Sequence, residues 1–171
     1  MDARPAAANQ VTLVEWMGVE DANTAGFVHG GTVMKLCDEA AGIAAIKHSR
    51  CRVVTAAMDR MTFLHPIHVG ELLTLKAAVN AVWRTSMEVG VRVEAESPLT
   101  GETRHTNTAY LTMVAVDDEG RPVAVAPLTA ESPEQERRAR EAQVRRANSL
   151  AEREQIRAAR ARKGEGDGRP R

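Results

Sequence analysis

Aromatic side chains are scarce in this chain, with two Phe, two Trp and one Tyr in 171 residues and none between 131 and 171. Proteins that grip single-stranded nucleic acid stack bases on such rings, so a nucleic-acid partner is not expected even where the sequence turns basic. Cysteine is nearly as rare. Cys37 and Cys51 make neither a disulfide framework nor a metal-ligand spacing, and Cys37 falls in an apolar segment where a reduced thiol packs as a small hydrophobe. His29, His48, His65, His68 and His105 form neither H-x-x-x-H nor H-E-x-x-H, so no metal site is expected. No apolar run approaches the roughly 20 residues that span a bilayer, and MDARPAAANQ lacks the apolar core of a secretory signal, so the chain reads as cytoplasmic with no membrane insertion. Net charge is also absent, at 23 basic against 23 acidic side chains, but the balance hides a split. Residues 1–130 carry 11 basic and 15 acidic groups and residues 131–171 carry 12 and 8, a mildly acidic body with a mildly basic tail.

What the chain does have is length for one domain with a real core, and a clear order of patterns. Val11 to Met17 is β-branched and aromatic enough for a strand, and Gly18 to Val28 carries the turn residues of a loop. From Thr32 to about His48, apolar residues cover most of a helical wheel, which predicts a helix wrapped on several sides. Four stretches of period two follow: Val53 to Phe63, Leu73 to Trp83, Met87 to Glu96 and Thr103 to Val116. Short connections between them predict antiparallel pairing of successive strands, because a parallel crossover needs a dozen or more residues. The expected class is α+β, an antiparallel sheet of about five strands curled round one long helix, the architecture called hotdog. After the proline-bearing PVAVAPLTAE linker, Ser132-Pro133-Glu134-Gln135 offers an N-cap, a first-turn Pro and a capping-box Gln. A charged helix runs from there to about Arg162, mostly solvated, with Val144, Leu150 and Ile156 as its only large apolar residues. The organisation expected is an N-terminal extension over 1–10, a hotdog domain over 11–128, linker and charged helix over 129–163, and a tail of disordered composition over 164–171.

The stretch DANTAGFVHGGTVMKLCDEAAG is where chemistry is expected. The first N–H groups of a helix lack intrahelical partners and carry partial positive charge, and Gly30 and Gly31 let a carbonyl or anion approach them closely. Asp38 stands among apolar residues where a carboxylate loses hydration, and a functional role is one reason for it to persist there. Periodicity alone instead places Lys35, Asp38, Glu39 and Gly42 on an ordinary solvent-facing stripe, and an Asn in a loop like that of Asn23 most often caps an Asx turn.

The segments HGGTVMKLCDEAAGIAA, VVTAAMDRMTFLHPIHVGE and RTSMEVGVRVEAE, in that order, resemble the hotdog-fold acyl-CoA thioesterases. The likeness is to the cytosolic acyl-CoA hydrolase group, which includes two-domain vertebrate enzymes and single-domain bacterial ones, and it covers about Val11 to Arg145. The resemblance implies hydrolysis of acyl-CoA thioesters by Asn23 and Asp38, with no cofactor beyond the coenzyme A of substrate and product. Asp38 is then a general base or a nucleophile, a choice the sequence leaves open, and the Gly31 N–H, helped by Gly30, donates to the carbonyl oxygen. Because one hotdog is present where the vertebrate relatives have two, it also implies a homodimer with active sites shared between subunits, assembled into a trimer of dimers. His29, Thr55 and Ser86 are the further substrate-binding candidates, and Arg50, Arg52, Arg60 and Arg84 are candidates for coenzyme A phosphates. His65 and His68 flank a proline turn and read as structural. A hotdog dehydratase or hydratase, and a non-catalytic acyl-CoA-binding hotdog, are the competing readings.

Overall fold

A computed structural model of the chain describes residues 2–59 and 61–162; Met1, Arg60 and residues 163–171 lie outside the described residues. The long helix α1 spans Gly30–Ser49. It starts two residues earlier than the apolar periodicity suggests, because the glycines take the first turn and the His29 side chain serves as its cap. It ends where Arg50 turns left-handed at φ 59°, its N–H donating to the Ile46 carbonyl at 2.8 Å.

The strands are β1 (Arg4–Pro5), β2 (Val11–Trp16), β3 (Arg52–Met58), β4 (Thr62–Phe63), β5 (Leu72–Val82), β6 (Ser86–Glu96), β7 (Thr103–Val116) and β8 (Leu128–Thr129). The main sheet runs β2-β5-β6-β7-β3, antiparallel throughout, with the two-residue β4 also on β7. Five principal strands curled round α1 make the expected hotdog. Through the middle of β5, β6 and β7 the inward positions alternate: Leu73 and Leu75 face α1 with Val89, Val91, Leu111 and Met113, all essentially buried. Each such side chain contributes about 1.5–3 kcal/mol of transfer free energy, so these alternating rows dominate the core.

Three features differ from the sequence reading. The stretch Val53 to Phe63 is two strands, because β3 bulges between Thr55 and Ala57 and ends at Met58 before β4 resumes. These strands do not pair with the next strand in the chain. They cross to β7 at the far side, because β2 already occupies the free edge of β5. Finally, the sheet wraps α1 on one side only, leaving Met34, Ile43 and Ile46 exposed at 42, 41 and 48%.

A second helix, α2 (Pro133–Arg162), lies across the outer face of the sheet. Its cap is as expected, the Gln135 N–H reaching the Ser132 hydroxyl at 3.3 Å. Its docking is not through Val144, Leu150 and Ile156, which stay exposed. It rests on Ala142 and on arginines: Arg145 forks onto the buried Glu88 at 2.7 and 3.0 Å and stacks 3.7 Å from the centre of the Tyr110 ring, while Arg146 covers Trp83 at 4.1 Å. Residues 4–9 are also built in. β1 pairs in parallel with β8, the Asn9 carboxamide oxygen accepts the Val79 N–H at 2.9 Å, and Arg4 donates to the His48 carbonyl at the C-terminal end of α1.

Candidate active site

The loop before α1 is held by its own polar groups. Asn23 Oδ1 accepts the Ala25 N–H at 2.8 Å and the Phe27 N–H at 3.3 Å, and Gly26 between them takes φ 82°, a conformation open to glycine. This is the Asx turn expected of such an Asn. It also fixes which end of the carboxamide is free, since two backbone donors mark that atom as oxygen and leave Nδ2 as a donor with no partner among the described residues.

At the helix start, His29 Nδ1 accepts the Gly31 N–H at 2.9 Å. The Gly31 donor is therefore already engaged, while the Gly30 N–H has no partner among the described residues. A Cβ on Gly30 would come within 3.1 Å of the Phe63 ring, so the glycine keeps the helix end and this ring close together. Asn23 and Gly30 open on a hollow of about 300 Å³, walled by Phe27, Phe63 and Leu64 together with His65, which the sequence suggested was only structural.

Asp38 lies two turns along α1, half-buried, between Met34 and Gly42 on the side the sheet leaves open. Its Oδ1 accepts the Thr55 hydroxyl at 2.5 Å, from the bulged edge strand β3. Thr55, expected at the substrate, is thus brought onto the carboxylate itself, and one carboxylate oxygen is fixed while the other takes no partner among the described residues. Lys35, at 3.5 Å, pairs with Glu39 and not with Asp38. The neighbouring Cys37 thiol is pushed up to about 12, first by burial and then by the charge of Asp38, so it is no nucleophile.

Asp38 follows Gly30 by eight residues, which at 1.5 Å per residue is about 12 Å along the helix axis. A single chain therefore carries two separate groups: donors at Asn23 and Gly30, and a carboxylate at Asp38 with Thr55. Ser86 joins neither. Strand alternation puts Met87 and Val89 toward α1 and Ser86 on the opposite face with Glu88. On that face, a cavity of about 430 Å³ lies under α2, lined by ion-paired side chains such as Arg137 and Arg145. Among the arginine candidates, Arg52 pairs with Asp118 at 3.4 Å and Arg50 is the left-handed C-cap. Arg84 is exposed on the β5–β6 turn, and Arg60 lies outside the described residues. Among the described residues there is no cluster of three His, Cys, Asp or Glu suited to a metal ion, and no helix is long and apolar enough to cross a membrane.

Comparison with known proteins agrees with this architecture. Residues 25–102 match the model of the Thioesterase superfamily. The chain is 32% identical over 148 residues to the cytosolic acyl coenzyme A thioester hydrolase of Rattus norvegicus, covering 85% of this chain but 39% of that relative's length. It is 39% identical over 115 residues to the uncharacterized acyl-CoA thioester hydrolase YkhA of Bacillus subtilis, covering 67% of each. Among solved structures, a hexameric acyl-CoA thioesterase superposes with a TM-score of 0.86 at 35% identity, covering 89% of this chain and 97% of that one. The acyl-CoA hydrolase of Staphylococcus aureus, solved with butyryl coenzyme A and coenzyme A, superposes at 0.84 with 30% identity, covering 92% of this chain and 96% of that one. The same hydrolase has been solved as alanine variants at an Asn, an Asp and a Thr.

Proposed function

Because this chain belongs to the thioesterase superfamily, we propose that it hydrolyses acyl-CoA thioesters to a free carboxylic acid and coenzyme A. The observation that carries the reading is the Asp38–Thr55 pair, a carboxylate steadied at 2.5 Å on the open side of a helix whose own donor-bearing start is about 12 Å away. Asn, Asp and Thr at the intervals of Asn23, Asp38 and Thr55, 15 and 17 residues apart, are also the positions altered in the S. aureus hydrolase.

In this reading Asp38 is the general base. Thr55 holds Oδ1, and Oδ2 takes a proton from water as the water oxygen bonds to the thioester carbon. Negative charge gathers on the carbonyl oxygen, where Asn23 Nδ2 and the Gly30 N–H donate, the latter in the positive field of the helix start. The tetrahedral adduct collapses, the C–S bond breaks with its electron pair on sulfur, and the thiolate takes the proton back from Asp38. Direct attack by Asp38 to give a mixed anhydride uses the same groups. His29 keeps its Nδ1 on the Gly31 N–H, so that N–H has a positioning role and the donor's place falls to Gly30. No cofactor enters these steps, since coenzyme A belongs to substrate and product.

Reacting groups must come within about 3 Å of the same carbon, so donors and base 12 Å apart in one chain are best completed by a second copy. The exposed Met34, Ile43 and Ile46 along the open side of α1 are the apolar surface such a copy would cover, giving a homodimer with shared sites, and the hexamer formed by a related thioesterase supports further assembly into a trimer of dimers. A cytoplasmic location fits the cytosolic rodent relative.

The test is thiol release from a panel of acyl-CoA esters of short to long chain by the purified protein, with binding followed in parallel. Turnover on part of the panel is the expected result. Binding without release from any ester would leave an acyl-CoA sensor and reject the hydrolase.

A further inference from the structure

We propose that Glu71 and Arg104 are positioning residues for the carboxamide of Asn23, acting through His68 and Phe27. The inference rests on the hydrolase reading of Asn23. Glu71 is buried at the start of β5, and its carboxylate accepts both arms of the Arg104 fork, Nη1 at 2.6 Å and Nη2 at 2.7 Å, as well as the His68 backbone N–H at 2.8 Å. Arg104 Nη2 reaches on to the Pro66 carbonyl at 2.8 Å and lies 3.3 Å from His68 Nδ1. The ion pair therefore fastens both ends of the 66–71 turn to the first residues of β7.

That turn in its turn holds the Asn23 loop. The Val28 N–H donates to the Ile67 carbonyl at 2.8 Å, Phe27 and His68 form an antiparallel bridge, and their rings meet edge-on with centroids 5.4 Å apart. Phe27 then grips Asn23 twice: its N–H donates to Asn23 Oδ1 at 3.3 Å, and its carbonyl accepts the Asn23 N–H at 2.7 Å. Contacts thus run without a gap from a buried carboxylate to the Asn23 side chain, whose Nδ2 has no partner among the described residues and which lines the hollow.

An ion pair is a poor choice for stability at such a place, because desolvation offsets most of the attraction and an apolar pair of the same volume does as well. What the pair supplies is direction. A bidentate guanidinium and carboxylate accept one relative orientation, whereas apolar neighbours tolerate several. Burial alone would raise the Glu71 carboxyl, but the Arg104 fork and the His68 amide outweigh it and hold it below the ordinary carboxylate range. The two charges thus favour each other in the fold, and donors to a developing oxyanion need placement to within about 0.5 Å.

The test uses the full chain with Glu71→Gln, which keeps the shape and removes the charge, and with Phe27→Ala. Phe27 is 38% exposed and leaves the ion pair intact, so that variant remains informative if Glu71→Gln does not fold. Amide hydrogen exchange is read in peptides covering residues 22–28, with β6 as the internal reference. We expect exchange in 22–28 to accelerate about tenfold in both variants while β6 is unmoved. In Glu71→Gln, which does not touch the hollow, we also expect kcat on an acyl-CoA ester to fall about tenfold with KM within about twofold, and no further fall when Glu71→Gln is added to Asn23→Ala. Unchanged exchange in 22–28, or acceleration shared equally by β6, overturns the proposal. If the wild-type protein releases no thiol, the hydrolase reading fails on that measurement, while the exchange data still decide whether the ion pair holds the Asn23 loop.

Discussion

Mixing two inactive variants offers the sharpest view of whether donors and base come from different subunits. Asn23→Ala removes the free carboxamide donor, a loss of about 10²–10³ in turnover, and Asp38→Ala removes the base, about 10²–10⁴. Each protein alone should therefore retain no more than about 1% of wild-type activity. When the two are dissociated, combined one to one and reassociated, random pairing makes half of the dimers mixed. In a two-fold dimer that shares its sites, each mixed pair has one site with Asn23 and Asp38 both intact and one site with neither, so about a quarter of wild-type turnover should return. That is at least about 25-fold above the parents, well beyond assay noise. Thiol release gives the readout, and native mass spectrometry of differently tagged chains verifies that mixed dimers form. Mixed dimers present at the statistical level with activity no higher than the parents would refute the reasoning. They would mean that the 12 Å along α1 is bridged within one chain.

Other consequences are local. Thr55→Val keeps the β-branched shape on an exposed strand but deletes the hydrogen bond to Asp38, so kcat should fall about 10-fold or more, from a charged hydrogen bond of about 1.5–3 kcal/mol, with the unfolding midpoint little changed. Arg145→Ala strands Glu88, which is 3% exposed, and should cost about 3–5 kcal/mol in denaturant unfolding. Arg137→Ala, at the open rim of the same cavity and in an ion pair with Glu141 that is about half exposed, should leave the midpoint where it was. His48 should make the fold acid-sensitive. Burial lowers its pKa below 6.5, the Ala126 carbonyl opposes this, and the charge of Arg4 adds to it. The unfolded chain then binds the proton more readily, so stability is complete above about pH 6.5 and declines as pH falls through that value toward the folded pKa. Thermal unfolding at pH 7.5 and 5.5 should show a drop in wild type that is smaller in His48→Gln.

How far these features could be read in the sequence depends on what holds each one in place. The rows on β5, β6 and β7 were legible because both flanking ladders are local and nearly every inward position is apolar, the buried Asn107 of β7 being the exception. The far-edge position of β3 was not, since its pairing with β7 joins residues about 60 apart and most of its side chains are exposed, so no periodicity encodes a partner. Residues 4–9 left no signal because they act through backbone and single polar atoms, Asn9 to Val79 and Arg4 to His48. The mode of docking of α2 was hidden for a similar reason: arginines that read as merely solvated in a helical pattern do the packing here through their planar heads. Asp38 and Asn23 stood out through resemblance and local context, whereas the Asp38–Thr55 contact spans two elements that only the curl of the sheet brings together.

Asn23 shows why the ordinary and the functional readings of a residue need not compete. A carboxamide has two ends, and the Asx turn uses only the oxygen, so the loop cap that looks like a rival explanation is what aims the nitrogen outward. Asn23→Asp separates the two tasks. An aspartate accepts the Ala25 and Phe27 N–H groups at least as well, being charged and close to the positive end of α1, so the loop and the unfolding midpoint should be kept or slightly improved. It has no hydrogen to donate and places a negative charge beside a developing oxyanion, so turnover should fall about 100-fold or more. If Asn23→Asp folds normally and still turns over at the wild-type rate, Asn23 is a loop cap alone, and the oxyanion must be met by backbone donors of the helix start without it.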